Sequence, residues 1–510
     1  MTDTVPPQVQ SLRHLFPWAQ FTGCHDITVR SICGDSRDVQ AGTLFALKPR
    51  AEGVEESFCQ QAVAKGAAAL LVERRLPHLP VPQCIVPDVP QAYAQVCAAL
   101  AGHPASQVHL AGVTGTNGKT TVTWMLRAIL QVPGRRVGLL GTIEYSDGVH
   151  HESAKLTTPD ALTLQQWLWK MRANGVRHAA MEVSSHALDQ GRVAGIPFES
   201  VTVTNVTQDH LDYHGTLKAY WAAKARLLNL VRPDGLVVLS RQQELSWSMR
   251  SLVPAGVAVA GCGWDALSDI RAEIQQETLR ETLFRLHVYG MSVDCRLPIV
   301  GRHNLENAMT AAAIAYHHGA TLEQIAAALE HFPGVPGRMQ RVDEGQDFAV
   351  LVDYAHTDDA LRRGLAALQP ITMGRLICVF GAGGNRDRLK RPLMGAAAAE
   401  ADIVILTSDN PRSEDPGQIV AEIQSGIPAD GPEVFVELDR AEAIRLALTL
   451  AETGDTVFIA GKGHEGEQVV QGRRIPFDDR LMAHAWLQLL LSRPEFSGRM
   501  RESTLEPLVV

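Results

Sequence analysis

The run Gly112, Val113, Thr114, Gly115, Thr116, Asn117, Gly118, Lys119, Thr120, Thr121 decides the fold of this 510-residue chain, because it sets a glycine-rich turn between a strand and a helix. Val108 to Val113 reads as a buried strand, and Val122 to Ile129 continues at helical spacing. The glycines therefore fall where backbone N–H groups converge on an anion, with Lys119 placed to reach terminal phosphates and Thr120 a Mg²⁺ ion. The strict phosphate-loop pattern has four residues between its first glycine and the Gly-Lys pair. Gly112 to Gly118 encloses five, with Val at 113, so the match is to a variant loop. A chance glycine-rich turn is the bland alternative, and strand, loop, Lys-Thr-Thr and helix in this order weigh against it.

Working outward, the length exceeds one hydrophobic core and suggests roughly three domains. Hydrophobic content of 45% and charged content of 20% are those of a soluble globular protein. A net charge of -9 offers no broad basic field and argues against nucleic acid as the main partner. The eight cysteines are scattered without a C-x-x-C pair and read as buried thiols of a reducing compartment. Met1 to Gln10 has no signal-peptide pattern, and no run approaches about 18 apolar residues. The expectation is a cytoplasmic monomer with no membrane partner.

Before the phosphate loop, Leu44 to Leu47 and Ala68 to Val72 read as strands of a small α/β unit, and Pro104 marks a break. After it, Arg136 to Leu140, His178 to Val183, Ser200 to Asn205 and Gly235 to Leu239 alternate with helix-like segments, which predicts a mostly parallel sheet. Gly334, Val335, Pro336, Gly337 form the clearest linker. Beyond it Phe348 to Val352, Leu376 to Phe380, Ile403 to Thr407 and Thr456 to Ala460 predict a Rossmann-like unit, and the tail Ser503 to Val510 reads as poorly ordered.

Two strand ends carry candidate chemistry. Glu182 is followed by Ser184, Ser185, His186, and Asn205 leads to Asp209 and His210, so Glu182 and His210 are candidates for a second Mg²⁺ site, with a structural hydrogen bond as the rival for His210. Lys224 lies amid Ala and Leu on a helix, where the local pattern alone favours a snorkelling stem.

Taken together, Gly115 to Thr121, Glu182, Ser184 to His186, Asp209 to Gly215 and Lys224 resemble the Mur ligase family of amide-forming, ATP-consuming enzymes. The resemblance extends to Asp353 to His356, Gly383 to Asp387, Asp409 to Arg412 and Gly461 to Glu465. It implies three α/β domains: a small UDP-substrate domain over 1–104, a central P-loop ATPase-like domain over 105–335, and a Rossmann-like, amino-acid-binding domain over 336–510. It implies an ATP-dependent ligase that adds meso-diaminopimelate to UDP-MurNAc-L-Ala-D-Glu through an acyl phosphate, in peptidoglycan precursor synthesis. A relative that adds lysine or another diamino acid is the nearest alternative. A non-catalytic nucleotide sensor is the other.

The family's roles carry over onto matching residues. Catalysis falls on Lys119, Glu182, His210 and Lys224, with Mg²⁺ held by Thr120, Glu182, His210 and a carbamate on Lys224. CO₂ would turn an ammonium of unperturbed pKa about 10.4 into an anion, so the resemblance replaces the snorkelling reading. ATP contacts fall on Gly115, Thr116, Asn117, Gly118, Lys119, Thr120 and Thr121, with Asn304 and Asp353 near adenine and ribose and Arg338 near the phosphates; without the family Arg338 reads equally as a surface charge. The UDP substrate falls on Gly34 and Ser36 at the uracil side, Thr157 and Thr158 further along, and Ser184, Gln190 and Arg192 at the muramoyl-peptide end.

Diaminopimelate falls on Arg386, Asp409, Asn410, Pro411, Arg412, Gly461 and Glu465. Its distal carboxylate suits a bidentate Arg412, which lysine would leave without an anion. As a bare pattern Asp-Asn-Pro-Arg is also a common turn. Two stretches depart from the family: Lys48, Pro49, Arg50, Ala51, Glu52, Gly53 replaces the usual Gly-polar turn, so that loop is left out of the site, and Asp358 stands where Pro is common.

Overall fold

The computed structural model describes residues 8–49 and 56–492, so the turn from Arg50 to Gly53 and the tail from Ser503 to Val510 lie outside the described residues. Three large sheets follow one another along the chain. In the first, the strands lie in the order Gln20–Thr22, Gln83–Ile85, Ala69–Val72, Leu44–Ala46, Ile32–Cys33, parallel except for the first pair. Ala69–Val72 is apolar throughout and buried on both faces, as a covered parallel strand must be. Asp88 caps the helix Val89–Leu100 by accepting from the Gln91 amide. That helix enters a core shared with Ala161 of the central unit, which fixes the two units together.

The central sheet has eleven strands. Val137–Leu140, His178–Glu182, His109–Thr114, Phe198–Val203, Val231–Ser240, Ala258–Gly263 and Ile270–Glu277 are parallel in that spatial order. The phosphate-loop strand lies between the strands that end at Glu182 and Val203, so three loops emerge together at one sheet edge, where open α/β sheets place their ligands. Antiparallel strands close both ends of this sheet, Glu144–Ser146 and His151–Ser153 at one side, Thr282–Val288 and Met291–Leu297 at the other. The strand expectations did not include this antiparallel edge. Its alternating burial is a period-two pattern, and its two-residue turn, Tyr289 and Gly290, has both φ angles positive, at 49° and 86°.

The third sheet runs Gln340–Arg341, Ala349–Asp353, Thr456–Ala460, Leu376–Phe380, Ile403–Leu406, Glu433–Val436, all parallel but the first pair, with apolar cores on both faces.

At the far end of the central sheet, away from the phosphate loop, His109 and His178 stack with centroids 5.0 Å apart, and His178 Nδ1 lies 3.2 Å from His318 Nδ1. Ser200 Oγ is 2.8 Å from His318 Nε2. Burial lowers His178 to about 4 and His318 to about 3. Both lie below the unfolded value near 6.5, so the unfolded chain takes up protons first and stability drains away as pH falls from about 6.5 towards 4. The thermal midpoint should drop between pH 7 and pH 5, and drop less in His318→Gln; equal slopes would contradict this role.

Candidate active site

The phosphate loop is held from the neighbouring strand end. A Cβ at Gly115 would stand 1.9 Å from Thr204 Oγ1, and one at Gly118 2.4 Å from Asn307 Oδ1, so both positions exclude a side chain. Gly118, at φ 87°, opens the helix Lys119–Leu130. Asn117 donates its amide to Asn205 Oδ1 at 2.9 Å, and its carbonyl accepts from Thr204 Oγ1 at 2.6 Å. Lys119 Nζ donates to the carbonyls of Gly115 and Thr116 at 2.9 and 2.8 Å. Lys224 Nζ donates to the same Gly115 carbonyl at 2.7 Å.

Lys224 is 1% exposed and stacks its ammonium 4.4 Å from the Tyr220 ring, so the snorkelling stem expected from its local pattern is corrected: the side chain points inward to the loop. Burial drives its pKa well below the ordinary value, with Lys119 adding to the effect. Lys119 is lowered by burial too, against the pull of Glu182 and Asp209.

Glu182 is fully buried and enters no ion pair among the described residues. Its oxygens accept from Thr120 Oγ1 at 3.0 Å, from the Thr142 amide at 2.8 Å and from Thr142 Oγ1 at 2.9 Å. Thus Thr120 and Glu182, expected at two separate ions, touch each other. A buried carboxylate with no ion-pair partner beside a phosphate loop fits a hard divalent ion. Among the described residues there is no group of three or more His, Cys, Asp or Glu side chains that could hold a metal ion.

His210 bonds neither Thr120 nor Glu182. It sits at φ 52° with its ring 4.8 Å from that of His186, and burial lowers it to about 4, leaving a neutral imidazole. Burial opposes ionisation of Asp209 beside it, yet the Lys390 ammonium 2.8 Å away holds its carboxyl well below the usual range.

Asn117, Gly118 and Thr121 share one cavity with Asn304, Arg338 and Asp353, so the expected ATP residues of the two units are brought together. Asp353 accepts from the Met339 amide at 2.7 Å and is raised by burial, and Arg338 lies over the Tyr354 ring at 4.6 Å. Arg338 is therefore a lining residue and not a free surface charge. His303, Asn307, Tyr354 and Arg363 line the same cavity and were not among the expected ATP contacts, although Tyr354 lies in the stretch Asp353 to His356 that carries the resemblance; Asn307 follows Asn304 by three residues on the helix Arg302–His317, a spacing that puts both on one face.

Three side-chain bonds tie the third unit to the central one. Asp359 Oδ2 accepts from Asn117 Nδ2 and Thr207 Oγ1, each at 3.1 Å, and Lys390 Nζ pairs with Asp209 at 2.8 Å. Asp358, the departure from the family's proline, opens the helix Asp358–Leu368 that carries Asp359. Lys390→Ala strands Asp209 in a largely buried position at about 1–3 kcal/mol. Its radius of gyration by solution scattering is expected to exceed that of the parent chain, and an unchanged radius would show that this pair does not hold the units together.

The residues expected at the sugar-nucleotide substrate fall into two groups. Thr158 Oγ1 donates to the Glu182 carbonyl at 2.9 Å and accepts from the Ser184 amide at 2.9 Å, Arg192 Nη1 donates to the Thr158 carbonyl at 3.0 Å, and Arg192 Nε donates to Gln190 Oε1 at 3.0 Å. Thr157 Oγ1 lies 3.2 Å from Thr142 Oγ1, whose own proton goes to the Glu182 carboxylate, which links this cluster to Glu182. Gly34 and Ser36 belong to the first unit, where Ser36 Oγ turns to Gln61 at 3.1 Å.

A further cavity collects Arg386, Asp409, Asn410, Arg412, Gly461 and Glu465 from the third unit, facing His186, Asp209 and His210 of the central unit. Pro411 does not line it; its carbonyl presses on Gly384, where a Cβ would come within 2.0 Å. Arg412, at φ 54°, donates to the Gly384 carbonyl at 2.6 Å. Glu465 accepts from Asn410 Nδ2 at 2.8 Å and pairs with the fully buried Lys462 at 3.1 Å, which sequence reasoning did not place in the site. Burial raises Asp409 and opposes Glu465, but Lys462 and Asn410 keep Glu465 below the usual range.

The fold and this site define a phosphate-loop enzyme with a second cavity between the central and third units. Residues 113–315 match the Mur ligase middle domain, and residues 337–463 the Mur ligase, glutamate ligase domain. UDP-N-acetylmuramoyl-L-alanyl-D-glutamate--2,6-diaminopimelate ligases of Gloeobacter violaceus and Geobacillus kaustophilus are 44% and 41% identical, each covering 92% of this chain and 96% of the relative. A solved structure titled as the same ligase superposes with a TM-score of 0.67 at 32% identity, covering 94% of this chain and 99% of that one. The chain belongs to the Mur ligase family, whose members are ATP-dependent, amide-forming ligases.

Proposed function

We propose that this ligase joins meso-diaminopimelate to the D-Glu γ-carboxylate of UDP-MurNAc-L-Ala-D-Glu, a step of peptidoglycan precursor synthesis, as a monomeric cytoplasmic enzyme with domains over 1–104, 105–335 and 336–510. One observation carries the choice of amino acid: two guanidinium groups, Arg386 and Arg412, and the carboxylate of Glu465 line the cavity that faces His210. A diamino dicarboxylic acid presents the complementary charges, and lysine would leave an arginine unpaired.

In this reading the substrate carboxylate oxygen bonds to the γ-phosphorus as its bond to the β,γ-bridging oxygen breaks, giving ADP and an acyl phosphate. The amine nitrogen then bonds to the acyl carbon, the carbon–phosphate bond breaks, and a proton and phosphate leave. Lys119 supports the γ-phosphate, and the loop amides the β-phosphate. Thr120, Glu182, His210 and a carbamylated Lys224 would hold Mg²⁺, which neutralises phosphate charge when bound. The depressed pKa of Lys224 favours the neutral amine that adds CO₂. Asn304, Arg338 and Asp353 orient the nucleotide; Thr157, Thr158, Ser184, Gln190 and Arg192 the peptide end; Gly34 and Ser36 the uracil.

ADP release and product mass with diaminopimelate, lysine and ornithine test this. A tripeptide precursor formed with diaminopimelate is expected. Equal rates with lysine would refute the amino-acid assignment, and no ADP with any of the three would refute the ligase reading.

A further inference from the structure

Among the described residues, two line both the nucleotide cavity and the amino-acid cavity: Tyr354 and His356. They stand in the loop between the strand Ala349–Asp353 and the helix Asp358–Leu368. In the ligase reading one reactant is activated on the nucleotide side and the other enters on the amino-acid side. This loop is the wall at which the two meet.

His356 offers a lone pair there. Its Nδ1 lies 2.9 Å from the Tyr354 carbonyl oxygen, which can only accept, so Nδ1 carries the proton and Nε2 of the neutral ring is left as an acceptor. The Tyr354 ring packs against the imidazole, with centroids 4.6 Å apart. Among the described residues no hydrogen bond or ion pair engages Nε2, and the residue is exposed. The neighbouring groups are committed elsewhere. Burial pushes the Tyr354 hydroxyl up, so it keeps its proton, 3.4 Å from Glu465. Asp209 pairs with Lys390, and Glu465 with Lys462. His186 lines the amino-acid cavity but not the nucleotide cavity. The carboxylates of Asp209 and Asp353 lie within electrostatic reach of the His356 ring and favour its charged form once a proton arrives.

We propose that His356 is the catalytic base of the amide-forming step, taking at Nε2 the proton that the diaminopimelate amine sheds. The proposal rests on the ligase reading above, which leaves that proton without an acceptor. The neutral amine nitrogen bonds to the acyl carbon, the bond from that carbon to the phosphate oxygen breaks, and one N–H proton moves to Nε2. The imidazolium then hands its proton to the departing phosphate or to water, and the ring regains its starting form. A base must lie within hydrogen-bond reach of the proton it takes, and a ring on the wall shared by both cavities is placed for an amine that attacks across it.

The test is a quenched single-turnover reaction of the full chain with ATP and UDP-MurNAc-L-Ala-D-Glu, for the parent, His356→Ala and His356→Gln, with thermal midpoints to show which variants fold. Glutamine fills the space and can hydrogen-bond, but it takes up no proton. ADP formation should stay within about threefold of the parent, whereas tripeptide formation on adding saturating diaminopimelate should slow about 100- to 10,000-fold in either variant. Hydroxylamine, a weakly basic amine that sheds its proton to water unaided, should trap the accumulated acyl phosphate as a hydroxamate at the parent rate. Equal slowing of ADP and tripeptide formation overturns the proposal, because His356 then serves phosphoryl transfer. A raised KM for diaminopimelate with the parent rate at saturation, or a glutamine variant that forms tripeptide at the parent rate, also overturns it, because the side chain then only shapes the cavity. A parent chain that forms no ADP refutes the ligase reading itself, a separate outcome.

Discussion

Lys119→Ala is expected to abolish ADP release, with kcat lowered at least about a thousandfold, the upper end of what one preorganised charge-stabilising donor supplies. The geometry gives the reason. The ammonium sits inside the loop, held by the carbonyls of Gly115 and Thr116. Lys224 bonds the same Gly115 carbonyl from the other side, and as the carbamate of the ligase reading it brings no cation to replace the lost one. The variant should also fold. Removing a buried ammonium relieves a desolvation cost, so its thermal midpoint is expected to equal or exceed that of the parent chain. Measured together, the two readouts separate a catalytic loss from an unfolded enzyme. Turnover within tenfold of the parent would mean that the loop does not carry the γ-phosphate.

That prediction was legible in the sequence because the phosphate loop is local: strand, turn and helix lie within one short stretch, and each has its own periodic or glycine signal. The parallel strands around it were legible for the same reason, as apolar runs separated by helical spacing. The edge hairpin through Tyr289 and Gly290 also carried a signal, alternating burial, that the search for parallel strands passed over. Lys224 was a different case. Its helix, Leu217–Ala225, is rich in alanine and shows almost no amphipathic preference, so nothing in the segment tells whether its lysine meets water or the loop. The same holds for Lys462, whose burial follows from Glu465 and Asn410 closing over it. Such contacts arise from packing between distant segments, which local pattern does not encode.

Arg412→Ala should raise the KM for diaminopimelate by about 10- to 100-fold, the worth of one charge-assisted bidentate contact, with the KM for ATP little changed. The side chain is preset for this: a left-handed backbone and a bond to the Gly384 carbonyl hold the guanidinium at the cavity wall, beside Gly383. The more telling readout is specificity. In the parent chain lysine must leave Arg412 without an anion, whereas in the variant that penalty disappears, so the ratio of kcat/KM for diaminopimelate over lysine should fall by the same factor. Arg386 lines the same cavity, and if it binds the other carboxylate, Arg386→Ala should raise KM for both amino acids and leave that ratio alone. The pair of variants therefore assigns the two arginines to opposite ends of one ligand. An unchanged ratio in Arg412→Ala would place the distal carboxylate elsewhere and remove the basis for preferring diaminopimelate.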